Sequence, residues 1–278
     1  IGVKEVQVVD GSNISASSRG SGDAGSVKLD SESIWVDGEG RITSSSGSKD
    51  RGTRFGYDLI TTGDAGSIEI NSKSLVVGNS GLISVSTRDE GQGGELAINA
   101  DSVKIHEKGK LLSNAYRKGN AGTIRINASS LYLANAEISS SSMGEGVAGG
   151  VQLDLVEHLV LAQGARVSVS QADGGDIRVS TDGEVRLSGS ELTASAAGDG
   201  GSVRLLGSGN VFMTEGSVSA EEGQDGGNIE ISAPQTLVLH RSGLVANAIQ
   251  GDGGNISIMA EGFLPSRESV ISASSEFG

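Results

Sequence analysis

Four aspartates, Asp173, Asp199, Asp225 and Asp252, follow one another at gaps of 26, 26 and 27 residues. Asp23, Asp64, Gln92 and Asn120 hold the equivalent places earlier in the chain, and Val147 interrupts the series. Carboxylates that recur this regularly stack into a line wherever the chain itself stacks. Oxygen ligands in a line suit a hard cation, so Ca²⁺ is the one cofactor this chain suggests. Like charges about 4.8 Å apart on neighbouring strands also repel one another. The account expected here is therefore the simpler one: each side chain accepts hydrogen bonds from its own turn, as in an Asx-turn. The nonapeptide spacing of calcium-binding β-rolls is absent.

A second set of candidates is local. Residues 47–63 hold Lys49, Arg51, Arg54, Phe55 and Tyr57 within a chain whose net charge is −14 and whose aromatics number only eight. Cations and aromatics gathered on one loop suit binding, and function concentrates on loops held by a rigid scaffold. A long surface insertion is also cheap in free energy, which is the plain alternative. The histidines, His106, His158 and His240, sit too far apart in sequence register to share a metal or a catalytic triad. Glycoside cleavage needs two carboxyl groups facing each other across a cleft. Glu157, Glu184 and Glu191 qualify only by default, because no adjacent outward pair stands out. Gly20-Ser21-Gly22-Asp23-Ala24-Gly25 matches GxGxxG in form, but it leads into a strand, so it reads as a corner. Asn114 and Asn247 read as inward positions that satisfy corners.

These residues are placed by a repeat. Gly25, Gly66, Gly94, Gly122, Gly149, Gly175, Gly201, Gly227 and Gly254 are separated by 41, 28, 28, 27, 26, 26, 26 and 27 residues. A constant period in this range signals a stacked architecture. Two and four residues after each glycine comes an aliphatic pair, from Val27/Leu29 and Ile68/Ile70 to Ile229/Ile231 and Ile256/Ile258, with a variable residue between. That alternation makes a half-buried strand. A second strand follows, such as Leu75-Val76-Val77. A third is rich in hydroxyls, such as Ile83-Ser84-Val85-Ser86. Three short strands fill the period and leave no room for a crossover helix, so equivalent strands stack in parallel. The fold class expected is all-β, a three-sided, right-handed parallel β-helix of about ten coils. Leu153–Leu161 looks amphipathic, yet the repeat register makes it two strands and a corner. The 44 glycines are expected to supply the left-handed backbone angles of the corners.

The chain reads as one domain, 1–278, with a loop insertion at 47–63, and both ends read as continuing coils of a longer polypeptide. Its acidity argues against nucleic acid and against docking on anionic lipid. It has no cysteine, hence no disulfide or thiolate chemistry. No stretch is apolar and long enough for a membrane helix.

Turns such as Gly63-Asp64-Ala65-Gly66-Ser67-Ile68-Glu69-Ile70, with Leu75-Val76-Val77 and Gly81-Leu82-Ile83-Ser84-Val85-Ser86-Thr87, resemble the repeats of filamentous-haemagglutinin-like exoproteins. Gly251–Ile258 and Ile271–Gly278 resemble them too. The resemblance covers essentially the whole chain. It implies a non-enzymatic, extracellular or cell-surface bacterial rod, exported through an outer-membrane secretion partner. Adhesion, biofilm, sheath or filament formation would be its role. Its partners would be host or neighbour-cell surfaces, glycans, or copies of itself stacked end to end. No catalytic residue carries over. The alternative reading is a carbohydrate-active β-helix.

Overall fold

The computed structural model of the chain describes residues 2–47, 62–171, 174–198, 200–221 and 223–277, and among these there is no helix. Alternation does locally what the sequence indicates. Leu29, Ile68, Ile70, Leu96 and Ile98 are fully buried, while Lys28 and Arg125 between their pairs face solvent. Only in the coil containing Asn255–Pro265 does the pair, Ile256 and Ile258, stay half-buried.

Equivalent strands pair in parallel throughout, so the chain is a parallel β-helix. The first and second strands of a coil were expected to be separate sides joined by a turn. Instead they run together as one long bent strand, in Val27–Val36, Ile68–Val77, Leu96–His106, Ile124–Ala134, Val151–Ala162, Asn228–His240 and Asn255–Pro265. The reason is the sharpness of the bend. Between Val27–Val36 and Ile68–Val77 only the apex residue drops out of the ladder: Ser31 pairs Ser72 and Ser33 pairs Ser74, with Glu32 and Lys73 left at the outside. At Leu155/His158 and Ala233/Thr236 the register shifts by one residue at the bend. The ladder therefore crosses the corner without breaking. In two coils the run is split, into Asp176–Thr181 with Glu184–Ser188 and into Ser202–Gly207 with Val211–Thr214. Leu153–Leu161 lies within a single such strand, bent between Leu155 and His158. The third side is a separate sheet of ten short strands, from Asn13–Ser15 to Val270–Ser272.

The core is one column of aliphatic side chains, and no described aromatic is in it. Trp35, Tyr116 and Tyr132 are exposed, since the interior is too narrow for a ring. Serines do enter. Ser113 and Ser140, fully buried, donate to the carbonyls of Gly94 and Gly122 at 2.9 and 2.5 Å, and Ser44 donates likewise to Gly25. A buried hydroxyl must have a partner, and the glycine corner supplies one.

The repeated glycines do not serve as expected. The positive-φ corner lies elsewhere, after the second strand, and it is held mostly by other residues, among them Asn79, Ser80, Glu107, Lys108, Asn135 and Gln163. Its N–H groups point along the rod: Ser80 donates to the Glu107 carbonyl at 3.0 Å and Lys108 to that of Asn135 at 2.6 Å. The repeated glycines are required by contact between coils. A Cβ on Gly94 would lie 1.7 Å from the Gly66 carbonyl oxygen, and one on Gly66 1.8 Å from that of Gly25. No rotamer relieves a clash between a Cβ and the backbone.

Gly94→Ala is therefore expected to destabilise the fold by about 3 kcal/mol or more. Gly20→Ala, where a Cβ meets nothing within 4 Å, should cost well under that. Lys108→Gly, at φ 66°, should stabilise by up to about 1 kcal/mol. Urea titrations of the three variants check the ranking.

Candidate functional site

The coil spacing governs the aspartate column. Asp23 accepts the Asp64 N–H at 2.9 Å and Asp64 accepts the Gln92 N–H at 2.7 Å. Asn120 accepts the Val147 N–H at 2.7 Å, and Asp225 accepts the Asp252 N–H at 3.0 Å. The expectation of bonds within each turn is thus corrected: the side chain serves the same position one coil on. The backbone turn directs these N–H groups along the axis, and a short acceptor reaches the next one. Asp173 and Asp199 lie outside the described residues. Among the described residues no three histidine, cysteine or acidic side chains converge as a cation would need.

Lys49, Arg51, Arg54, Phe55 and Tyr57 also lie outside the described residues. The described edges of that insertion are close together, because Ser46 donates to the Gly63 carbonyl. The histidines remain in separate coils; His106 sits 3.5 Å from Glu107. Glu184 is taken up by Arg186, and Glu191 by Arg166 at 2.8 Å.

Asn114 and Asn247 are not inward residues. Leu111, Ser113 and Ala115 take the inward places of that strand by alternation, so Asn114 points to the opposite face, where it is nevertheless buried. Its Oδ1 accepts the Ser141 N–H at 2.9 Å, and Asn247 does the same for Ser274 at 3.0 Å. The correction is one of parity: a shift of one residue exchanges the faces of a strand.

A further ladder stands at the bend of the long strands. Asn71 donates to Asp30 at 2.8 Å, Asn99 to Asn71 and Asn127 to Asn99, both at 2.9 Å. The signal was present in the sequence, since Asp30, Asn71, Asn99 and Asn127 each stand five residues after a repeated glycine. Oppositely charged side chains on adjacent coils add to it. Lys28 meets Glu69 at 2.7 Å, Lys110 meets Glu137 at 2.6 Å and Arg241 meets Glu215 at 3.0 Å. The hydrogen bond between Lys28 and Glu69 holds the carboxyl below its ordinary range and the ammonium above its own. Stability from Glu69 is thus present above the ordinary carboxylate range and lost as pH falls through the lowered value. That from Lys28 is lost as pH rises through the raised one. Exposure and salt keep both small.

Three arginines stand apart from this pairing. Arg19, Arg41 and Arg88 have no carboxylate within ion-pair distance among the described residues, and all three line one groove of about 670 Å³ on the third side. Its floor is two rows of hydroxyls, Ser15, Thr43 and Ser84 in one and Ser17, Ser45 and Ser86 in the other. Arg41 stands on one rim; Arg19, Arg88 and Tyr116 line the other. Among the described residues no acidic side chain lines it.

No known protein family, no curated protein and no solved structure matches this chain. The groove and the ladders are therefore read from their own chemistry. The position of Arg88 depends on Gly47, at φ 102°, where a Cβ would come within 2.6 Å of the arginine Cβ. Arg19, Gly47, Arg88 and Tyr116 stand in one column, each five residues past the first inward aliphatic of its strand. The glycine leaves a gap between the two guanidinium stems.

Replacing Asn99 by Ala cuts the amide ladder in the middle and should lower stability by about 1 kcal/mol. Asp225→Ala should cost a similar amount, and chelation with EDTA should leave the melting temperature of the native chain where it is. Thermal melts with and without added Ca²⁺ check both.

Proposed function

We propose that this chain is a section of an extracellular bacterial rod of the filamentous-haemagglutinin-like kind, adhesive or structural in role, that displays side chains along a stiff axis. The observation that carries the reading is continuity. Backbone pairing runs through every described coil, and side-chain ladders repeat it on the outside. Such a solenoid is built of units that contact only their neighbours, so it gains length without changing its cross-section. Surfaces of this kind serve attachment, biofilm, sheath or filament formation. Export through an outer-membrane partner belongs to the same proposal.

Binding is favoured over cleavage by the make-up of the groove. Hydrolysis of a glycosidic bond needs an acid and a base or nucleophile facing one another, whereas the groove is lined by arginines and hydroxyls.

Electron microscopy of the purified chain should show rods of about 45–50 Å per chain. Filaments with coils running across chain boundaries would identify the chain's own copies as its partners. Compact particles without a long axis would overturn the proposal.

A further inference from the structure

We infer that the groove of Arg19, Arg41 and Arg88 is a binding site for a carboxylated polysaccharide, a polymer of uronate-type sugars. The inference rests on the display role and adds to it both a site and a ligand class. Its first support is charge. The chain carries −14 overall, and basic side chains such as Lys110, Arg166 and Arg241 are tied to carboxylates. Three arginines without such partners among the described residues, in one concavity that no described acid lines, form a local positive site on an acidic rod. Guanidinium groups pair with carboxylates through two parallel hydrogen bonds.

The second support is the floor. Its hydroxyls are linked to one another, Ser15 to Ser17 at 3.0 Å, Thr43 to Ser15 at 3.2 Å and Ser84 to Ser86 at 2.9 Å. Ser84 and Ser86 are buried, whereas Ser15 and Ser17 are exposed and Thr43 and Ser45 partly so. A hydroxyl has one donor and two acceptor sites, so these last four retain capacity for a ligand. The rows repeat at about 4.8 Å along the rod and roughly 6.7 Å across it. A linear polymer with hydroxyls at every unit and a carboxylate at intervals meets such a surface along its length, its acid groups at the rims. Tyr116, 41% exposed at the end of the arginine rim, offers a ring against which a sugar face packs.

The third support is selection by the rest of the rod. A net charge of −14 repels a densely charged polymer such as nucleic acid, with a charge every ~1.7 Å of duplex, more strongly than one whose charges are spaced by sugar rings.

The experiment is calorimetric titration of the chain with polygalacturonate, with dextran sulfate and with neutral dextran. Polygalacturonate should bind, more tightly at low ionic strength than at physiological ionic strength by about tenfold. Neutral dextran should not bind. The double variant Arg41→Gln/Arg88→Gln should weaken binding roughly 100-fold. Arg178→Gln, on a different sheet, should leave it unchanged. Melting curves confirm that the variants remain folded. Equal binding by the double variant, equal binding of neutral dextran, or tighter binding of dextran sulfate than of polygalacturonate would each overturn the inference. Absence of binding by a chain that still forms rods in the microscope would also overturn it, and would leave the display role standing.

Discussion

The distance between successive coils is the constraint on which the rest depends. Parallel strands lie about 4.8 Å apart in the hydrogen-bonding direction, and the chain must hold that spacing at its corners as well as on its sides. At the repeated glycine corner the backbone of one coil rests on the carbonyl of the coil before, as Gly94 does on Gly66 and Gly254 on Gly227. A single methyl group there would part the coils and interrupt both sheets. Once that spacing is set, every other position acquires a neighbour of the same kind one coil away. Side chains are then selected for what they do to their own image: amides donate to amides, lysines meet glutamates, and carboxylates accept the N–H of the next turn.

This geometry also explains the economy of the interior. Each coil contributes a few inward positions, and in one coil Val27, Leu29, Ile34, Val36, Ile42 and Ser44 fill them. A ring has no place in so thin a core, so Trp35 and Tyr132 stand outside, with Lys104 packed 5.9 Å from the tyrosine ring centre. Buried hydroxyls are admitted because the glycine corner exposes its carbonyl to the inside. Composition, core and corner are thus consequences of the same spacing.

The architecture was legible because its signal is repeated. An aliphatic pair two and four residues after a glycine is weak evidence once and decisive nine times over. What escaped the sequence was whatever depends on one coil facing another. Asn71, Asn99 and Asn127 look like ordinary polar strand residues until the coils are superposed. Asp225 looks like a turn residue serving itself, although its acceptor oxygen reaches forward to Asp252. The parity of Asn114 was misread because the third strand is short, with little alternation to fix which side is in. The bend between the first and second strands was read as a turn because polar residues mark both, and only the pairing shows that the ladder continues. The arginine groove was hidden for a further reason: Arg19, Arg41 and Arg88 belong to three different coils, and nothing in sequence shows that they line one groove.

The direction of the backbone hydrogen bonds has a mechanical consequence. In both sheets they run parallel to the long axis, as from Val27 to Ser67 and from Ser44 to Ser84. A tensile force applied along the axis therefore opens them a few at a time, like a zip, and does not load a whole row in shear. The outermost coil yields first, and its release lets out 26 to 28 residues, roughly 90 Å of extended chain. The coil beneath keeps its own core and its own bonds. Pulled in this way, the solenoid lengthens by successive unwinding and dissipates work at every step, while whatever remains wound stays stiff.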